Sequence, residues 1–222
     1  MQIAIDGPAA SGKTTVARGV AHKLNALYLD TGAMYRALAF LAVQTRTDAD
    51  NGAALARLAE RQPIVVALDR GAPLGFRIFA GGSELDEARL QSNDVTAIVS
   101  TVAAHPGVRE TMVRAQREIA DDVAVVMAGR DIGTVVLPNA PVKIFLTASV
   151  EARVQRRKEQ LERAGIDVDA HRLKDEIEER DRLDSGRKVS PLVPAPGAHV
   201  IDSSAMDVEE VIGAICGIVA RT

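Results

Sequence analysis

Nine residues near the start of the chain could do chemistry together: Gly7-Pro8-Ala9-Ala10-Ser11-Gly12-Lys13-Thr14-Thr15. Two glycines with four residues between them let the backbone curl until successive N–H groups converge on an anion. Lys13 directly after the second glycine can reach β- and γ-phosphates, and the Thr14 hydroxyl can ligate Mg²⁺. Such a loop works only between a strand and a helix, whose N-terminus adds a partial positive charge. The apolar run Ile3-Ala4-Ile5 precedes it. Val16, Ala17, Val20, Ala21 and Leu24 follow with helical spacing. The arrangement is that of a P-loop, with Gly7 through Thr15 predicted to hold a nucleoside triphosphate and Thr14 as the candidate metal ligand.

More cations occur where further strands should end. Arg36 lies on the first turns of the helix predicted after Ala26-Leu27-Tyr28-Leu29, and Arg130 lies just past the β-branched run Val123 to Met127. An arginine fork grips phosphate with two hydrogen bonds. Two such forks beside Lys13 suggest a second phosphate clamped close to the first. Arg180, Asp184 and Arg187, spaced i, i+4 and i+7, would share one stripe of a helix as a binding set or as a solvated ion-pair ladder. Arg153, Arg156, Arg157 and Arg163 form another basic set near Gly165, either a lid over the triphosphate or an exposed helix face. His22, His105, His171 and His199 have no Cys or His at ligand spacing, so no zinc site is expected.

The elements that must position these groups alternate. Strands are predicted at Ile3–Ile5, Ala26–Leu29, Val123–Met127, Val142–Leu146 and His199–Ile201, with helices between them. That pattern predicts an α/β fold: about five parallel strands with helices on both faces. Ligands of such sheets sit beyond the strands' carboxyl ends. Polar residues stand at every one of those ends, from Asp30-Thr31 to Asp202-Ser203-Ser204. Between Pro63 and Leu90 the rhythm changes to Ile64–Leu68 and Phe76–Phe79, punctuated by glycines, and predicts a small antiparallel β insert. Helical periodicity runs from about Asp94 to Ile119 with a break at His105-Pro106-Gly107. It returns from about Val150 to Ala164 and from Asp169 to Leu183. Asp207 and Glu210 predict a capping box before a closing helix.

Composition narrows the function classes. The 222 residues allow one domain, with 47% hydrophobic but only 3% aromatic residues, so Ala, Val, Leu and Ile must fill its core. A net charge of −3 argues against bulk binding to nucleic acid or anionic membranes. No apolar run approaches the roughly 18 residues of a membrane span, and the N-terminus reads as a strand rather than a leader. The single Cys216, on an apolar helix, is expected to be a buried thiol. Together these favour the cytoplasm.

Longer segments are more specific than the P-loop alone. Asp6 to Thr15, Asp30-Thr31-Gly32-Ala33-Met34-Tyr35-Arg36, Ser100 through Arg109, Gly129-Arg130-Asp131-Ile132-Gly133-Thr134-Val135-Val136, Ala140 to Leu146 and Glu179-Arg180-Asp181 through Pro194 together resemble the bacterial-type cytidylate kinases. The resemblance spans nearly the whole chain, in order. It implies a single kinase domain: a core (1–62, 91–150 and 188–222), an enlarged monophosphate-binding insert near 63–90, and a short helical lid near 151–187. It implies transfer of the ATP γ-phosphate to CMP or dCMP with Mg²⁺, by a monomer.

Carried over residue by residue, Ser100 and Arg109 would read the cytosine edge, with Asp131 and Arg187 nearby. Arg180 and Asp184 would hold the sugar. Arg36 and Arg130 would hold the acceptor phosphate, with Thr31 and Tyr35 lining that pocket. Arg153 and Arg157 would join the ATP site, and Ser203 and Ser204 would lie near the adenine. Thr31 stands where Ser is common. Ala128 stands where many members carry Asp, which removes a carboxylate expected after the third core strand, near the metal. Lys13, Arg36 and Arg130 are thus the catalytic candidates.

A phosphate monoester has a second pKa of about 6, so the acceptor oxygen is already anionic near pH 7 and no general base is required. Positioning and charge neutralisation carry the in-line transfer. A kinase for UMP, dTMP or a small metabolite such as shikimate is the nearest alternative. A GTPase-type switch would need an Asn-Lys-x-Asp stretch, which is absent. An RNA-binding regulator would need the aromatic stacking surfaces that this composition lacks.

Overall fold

The computed structural model describes residues 1–121, 123–163 and 165–222. Five parallel strands form the central sheet: β1 (Gln2–Asp6), β2 (Leu27–Asp30), β6 (Val125–Gly129), β7 (Val142–Thr147) and β8 (His199–Asp202), in the order β2-β6-β1-β7-β8. Helices cover both faces. β1 lies at the centre, and Ile3, Ala4 and Ile5 are fully buried, because side chains on both faces of a doubly covered strand meet helices. The chain turns to one side of β1 to reach β2 and later to the other to reach β7 and β8. The loop after β1 therefore opens at the switch point, where the crevice of such sheets lies.

Helix α1 (Lys13–Lys23) starts inside the glycine loop and packs on β6 and on the last helix, α9 (Val208–Val219). Helix α2 (Thr31–Thr45) follows β2 without an intervening loop, capped by the Asp30 carboxylate accepting from the Gly32 amide at 2.9 Å. The expected capping box at Asp207 and Glu210 is formed, each side chain accepting the other's backbone N–H at 2.8 Å. The expected break at His105 separates α5 (Asn93–Ala104) from α6 (Pro106–Ala120), with Pro106 opening the second helix.

The small antiparallel sheet holds β3 (Val65–Leu68), β4 (Phe76–Ala80) and a third strand, β5 (Ser83–Leu85), that the pattern did not reveal. Three alternating residues carry too little periodicity to read. Helix α3 (Gly52–Arg61) precedes this sheet and the short α4 (Glu87–Leu90) follows it. Phe76, Ile78 and Ala80 turn their buried face toward α2, which ties the lobe to the core.

Three sequence expectations need correction, and a fourth falls partly outside the described residues. The strand expected at Val123–Met127 starts at Val125 and runs to Gly129, so Ala128 lies inside the strand, fully covered, rather than after it. Helix α8 (Ala170–Ser185) ends before Arg187, which therefore does not continue the stripe of Arg180 and Asp184. Helix α7 (Val150–Arg163) ends as expected near Gly165, and its anticipated last residue, Ala164, lies outside the described residues. Cys216 is half-buried, not buried, because it flanks the stripe of Val211, Ile212 and Ile215 that α9 turns inward.

Candidate active site

The glycine loop exists because of two backbone demands. Gly7 has φ 153°, and a Cβ there would lie 2.0 Å from the Leu146 carbonyl oxygen of the neighbouring strand. Gly12 turns through φ 89° into α1. Inside the curl, Lys13 is buried and its Nζ donates to the Pro8 carbonyl at 2.6 Å and to Ser11 Oγ at 3.3 Å. Burial pushes the Lys13 ammonium well below the usual lysine range. Arg130 lowers it further, Asp30 acts against that, and Arg180 adds to the lowering. An ammonium so placed gains from any anion brought into the loop. The Thr14 hydroxyl, exposed at the rim, donates to Asp30 Oδ2 at 3.1 Å.

The ends of β2 and β6 bring the second set of cations alongside. Thr31 Oγ1 donates to the Ala128 carbonyl at 3.0 Å and locks the start of α2 to β6. Arg36, one turn along α2, donates to the Leu90 carbonyl at 3.1 Å and to Thr96 Oγ1 at 3.0 Å. Burial lowers its pKa, and the charges of Arg157 and Arg130 lower it further. Arg180 is pushed down to about 10, by burial first and then by Arg130 and Arg36. Its Nε is buried without a hydrogen-bond partner. Lys13, Arg36, Arg130 and Arg180 thus share one region at the carboxyl edge of the sheet and repel one another there.

Asp184 is the counter-charge. Its Oδ2 accepts from Arg130 Nε at 2.7 Å, and its Oδ1 accepts from Arg187. Burial alone would raise the Asp184 carboxyl, but Arg130 and Arg187 outweigh it and hold the group below the usual carboxylate range. Arg187 reaches Asp184 from beyond the end of α8, so the trio meets without sharing a helix.

A second buried pair lies deeper. Arg109 on α6 donates to Asp131 and, at 3.2 Å, to the Ala103 carbonyl, with both charged side chains almost fully covered. The Arg109 guanidinium sits 5.5 Å from the centre of the Tyr35 ring. Burial raises the Tyr35 phenol to about 12. The Tyr35 hydroxyl, Arg109 Nε and Gln116 Nε2 are all buried without partners. Buried polar atoms left so are costly unless a ligand satisfies them. Ser100 lies half-buried on α5, the helix that packs against α2 and α6.

Two residues that hold this loop in place escaped the sequence reading. Arg130 and Asp131 lead into a π-helical turn, Ile132–Val136. Asp6 accepts both amides at its start, from Ile132 and Gly133, at 2.7 Å each. Arg117 donates to the Val136 carbonyl at 3.0 Å and to the Val135 carbonyl at 2.6 Å at its end. Burial raises the Asp6 carboxyl to about 6, and the two amide hydrogen bonds work against that rise.

Helices α7 and α8 close on the glycine loop from the other side. Arg153, expected at the triphosphate, is buried and donates to the Ala148 carbonyl at 3.2 Å, the Ala9 carbonyl at 3.1 Å and Asp181 Oδ2 at 2.5 Å. Asp181 Oδ1 accepts the Ala9 amide at 3.3 Å, so both peptide groups of Ala9 are held by this ion pair. Arg157 donates to Gln160 on its own helix. Arg156, not Arg157, touches the loop, donating to the Ser11 carbonyl at 3.5 Å and to Ser203 Oγ at 3.0 Å. The sequence marks Arg156 only as one member of the basic set near Gly165, and Asp181 carries no signal beyond being a further charge in an already charged stretch.

A glycine loop between a central parallel strand and a helix, ringed by arginines on the same sheet edge, defines a P-loop phosphotransferase fold. A solved structure of an uncharacterized protein from Eubacterium ventriosum shares that fold. Its TM-score is 0.55 and its sequence identity 12%, with 100% of this chain and 99% of that one covered. A model of the family described as Cytidylate kinase matches residues 3–221. A cytidylate kinase of Desulforamulus reducens is 50% identical over 214 residues, 96% of this chain and 94% of the relative. One of Enterococcus faecalis is 49% identical over 221 residues, 100% of this chain and 96% of the relative. The chain therefore belongs to the cytidylate kinase family, and it is a kinase. None of its described helices is long and apolar enough to cross a membrane.

Proposed function

We propose that this kinase transfers the γ-phosphate of ATP to CMP or dCMP, giving CDP or dCDP, by in-line attack without a general base. The observation that carries the reading is the gathering of Lys13, Arg36, Arg130 and Arg180 at one sheet edge. Four cations so close raise one another's free energy, and two facing phosphate groups relieve that repulsion. The triphosphate lies in the loop from Gly7 to Thr15, with Lys13 on its terminal phosphates. The acceptor phosphate lies between Arg36 and Arg130, beside Thr31 and Tyr35. The sugar is held at Arg180 and Asp184. The base lies toward Ser100, Arg109, Asp131 and Arg187, where unpartnered donors at Arg109 and Gln116 suit the carbonyl and ring nitrogen of a pyrimidine.

Thr14 fits a hard divalent cation: its hydroxyl is exposed at the loop's rim beside a carboxylate oxygen. When bound with the triphosphate, Mg²⁺ neutralises charge on the phosphates. Residues 1–62, 91–150 and 188–222 are read as the core, about 63–90 as the monophosphate-binding insert and about 151–187 as the lid, in a monomer.

Coupled turnover assays with ATP and Mg²⁺ across CMP, dCMP, UMP, dTMP and AMP test the reading. CMP and dCMP are expected to give the highest kcat/KM. Turnover of UMP or dTMP tenfold above both would replace cytidine as the acceptor class.

A further inference from the structure

We propose that Asp181 is a positioning residue for Lys13 and acts on it through the one peptide unit between Pro8 and Ala9. The Lys13 ammonium donates to the Pro8 carbonyl at 2.6 Å. The N–H of that same peptide unit belongs to Ala9, and it donates to Asp181 Oδ1 at 3.3 Å. The peptide is trans, so its carbonyl and its N–H point in opposite directions. Lys13 therefore holds this unit from inside the curl and Asp181 holds it from outside. A carboxylate on the N–H draws electron density toward the carbonyl oxygen and strengthens that oxygen's bond to the ammonium. Among the described residues Lys13 donates otherwise only to Ser11 Oγ, so Asp181 is its counter-charge at one peptide's remove.

The two oxygens of Asp181 have separate tasks. Oδ2 accepts from Arg153 at 2.5 Å, which fixes the carboxylate and leaves Oδ1 aimed at the loop. Arg153 closes the grip by donating to the Ala9 carbonyl at 3.1 Å. The next residue shows why a grip is needed. Ala10 has φ 57°, a left-handed conformation that a residue with a side chain keeps only where its surroundings over-determine the backbone. The helix behind Asp181 ties this support to the other half of the site. Along α8, Leu173, Ile177, Arg180, Asp181 and Asp184 turn toward the protein, and the residues between them are exposed. One face of one helix thus sets Asp181 on the phosphate loop and, a turn later, Asp184 on Arg130. The ion pair with Arg153 explains Oδ2 but not Oδ1.

The inference rests on the phosphotransfer reading and on Lys13 acting in it. The test is steady-state turnover of CMP with ATP and Mg²⁺ by the full chain, comparing the parent, Asp181→Ala, Lys13→Ala and the double variant. Asp181→Ala is expected to lower kcat by about 10–100-fold, with KM for ATP changed less than about threefold, because a displaced group costs rate more than binding. In the Lys13→Ala background the same change is expected to lower kcat by less than about twofold, since the group it positions is gone. Asp181→Asn keeps a neutral oxygen for the Ala9 amide and is expected to lose less than Asp181→Ala. It carries the test if the alanine variant does not melt cooperatively. Equal fold-losses with and without Lys13 would make Asp181 a support of the helix pair alone and overturn the proposal. So would a parental kcat in whichever Asp181 variant folds. A parent that turns over no nucleoside monophosphate, or Lys13→Ala at the parental rate, sinks the phosphotransfer reading itself. An active parent, an impaired Lys13→Ala and additive Asp181 losses sink the role of Asp181 only.

Discussion

The carboxylate of Asp6 accepts the amide hydrogen of Gly133 at 2.7 Å, across 127 positions of sequence. With the matching bond from Ile132, it fastens the end of β1, which begins the phosphate loop, to the turn that carries Arg130 and Asp131. The two halves of the site are thus set relative to one another by one buried acid.

Asp6 should therefore leave a pH signature. Its folded-state pKa, raised to about 6 by burial, exceeds its ordinary value of 3.8. Between those values the folded protein holds a proton that the unfolded chain has released. Its stabilising contribution is full below about pH 4 and is lost as pH rises through about 6, with a total of about 3 kcal/mol at 1.36 kcal/mol per unit. Asp6→Asn should abolish that component. The stability difference between Asp6→Asn and the parent, from urea melts at pH 4.5 and 7, is expected to change in the variant's favour as pH rises. A constant difference would contradict the assignment.

Lys13 is placed to act on phosphate rather than to hold the fold. Lys13→Ala is expected to lower kcat by roughly 10²–10³-fold or more, while its melting transition stays cooperative. A near-normal rate would remove Lys13 from the mechanism.

The Arg109–Asp131 pair is nearly inaccessible to water. Removing one partner strands the other, so Asp131→Ala should cost about 3–5 kcal/mol in denaturant unfolding. Replacing both with apolar residues should cost less than this. If Arg109 also reads the base, the double variant folds but loses its preference between CMP and UMP.

Arg153 and Asp181 grip Ala9 together, so their effects should not add. A double-mutant cycle of Arg153→Ala and Asp181→Ala is expected to give a coupling of about 1–3 kcal/mol. An Arg153 that instead bound phosphate directly would show little coupling and a large fall in kcat.

Asp184 accepts from Arg130 and Arg187 at once. Asp184→Ala should lower turnover with both acceptors, because Arg130 loses its anchor. A sugar contact predicts unequal losses for CMP and dCMP, and equal losses would leave Asp184 as an anchor only.

The local features of this protein are legible in its residues. A glycine loop needs φ angles that Gly7 and Gly12 provide. A strand buried on both faces needs the run at Val125–Met127, and capping at Asp207 needs only Glu210 three residues on. Each depends on neighbours within one or two turns, so type and spacing suffice. The five-stranded α/β arrangement and the cations at strand ends follow from that periodicity.

What spacing could not decide is which distant groups meet. Arg153 and Arg157 look alike in sequence, yet only the first is held between Ala9 and Asp181, because partners are chosen by the packing of α7 on α8. Arg187 joins Asp184 from beyond the helix end, and Asp6 and Arg117 fasten a π-helical turn that no periodicity announces. Asp30 stands opposite Ala128 because parallel register is set by the whole sheet. Sequence determined the parts and the edge at which they work. Tertiary structure alone assigned their partners, since a buried charge takes whatever counter-charge the fold brings within reach.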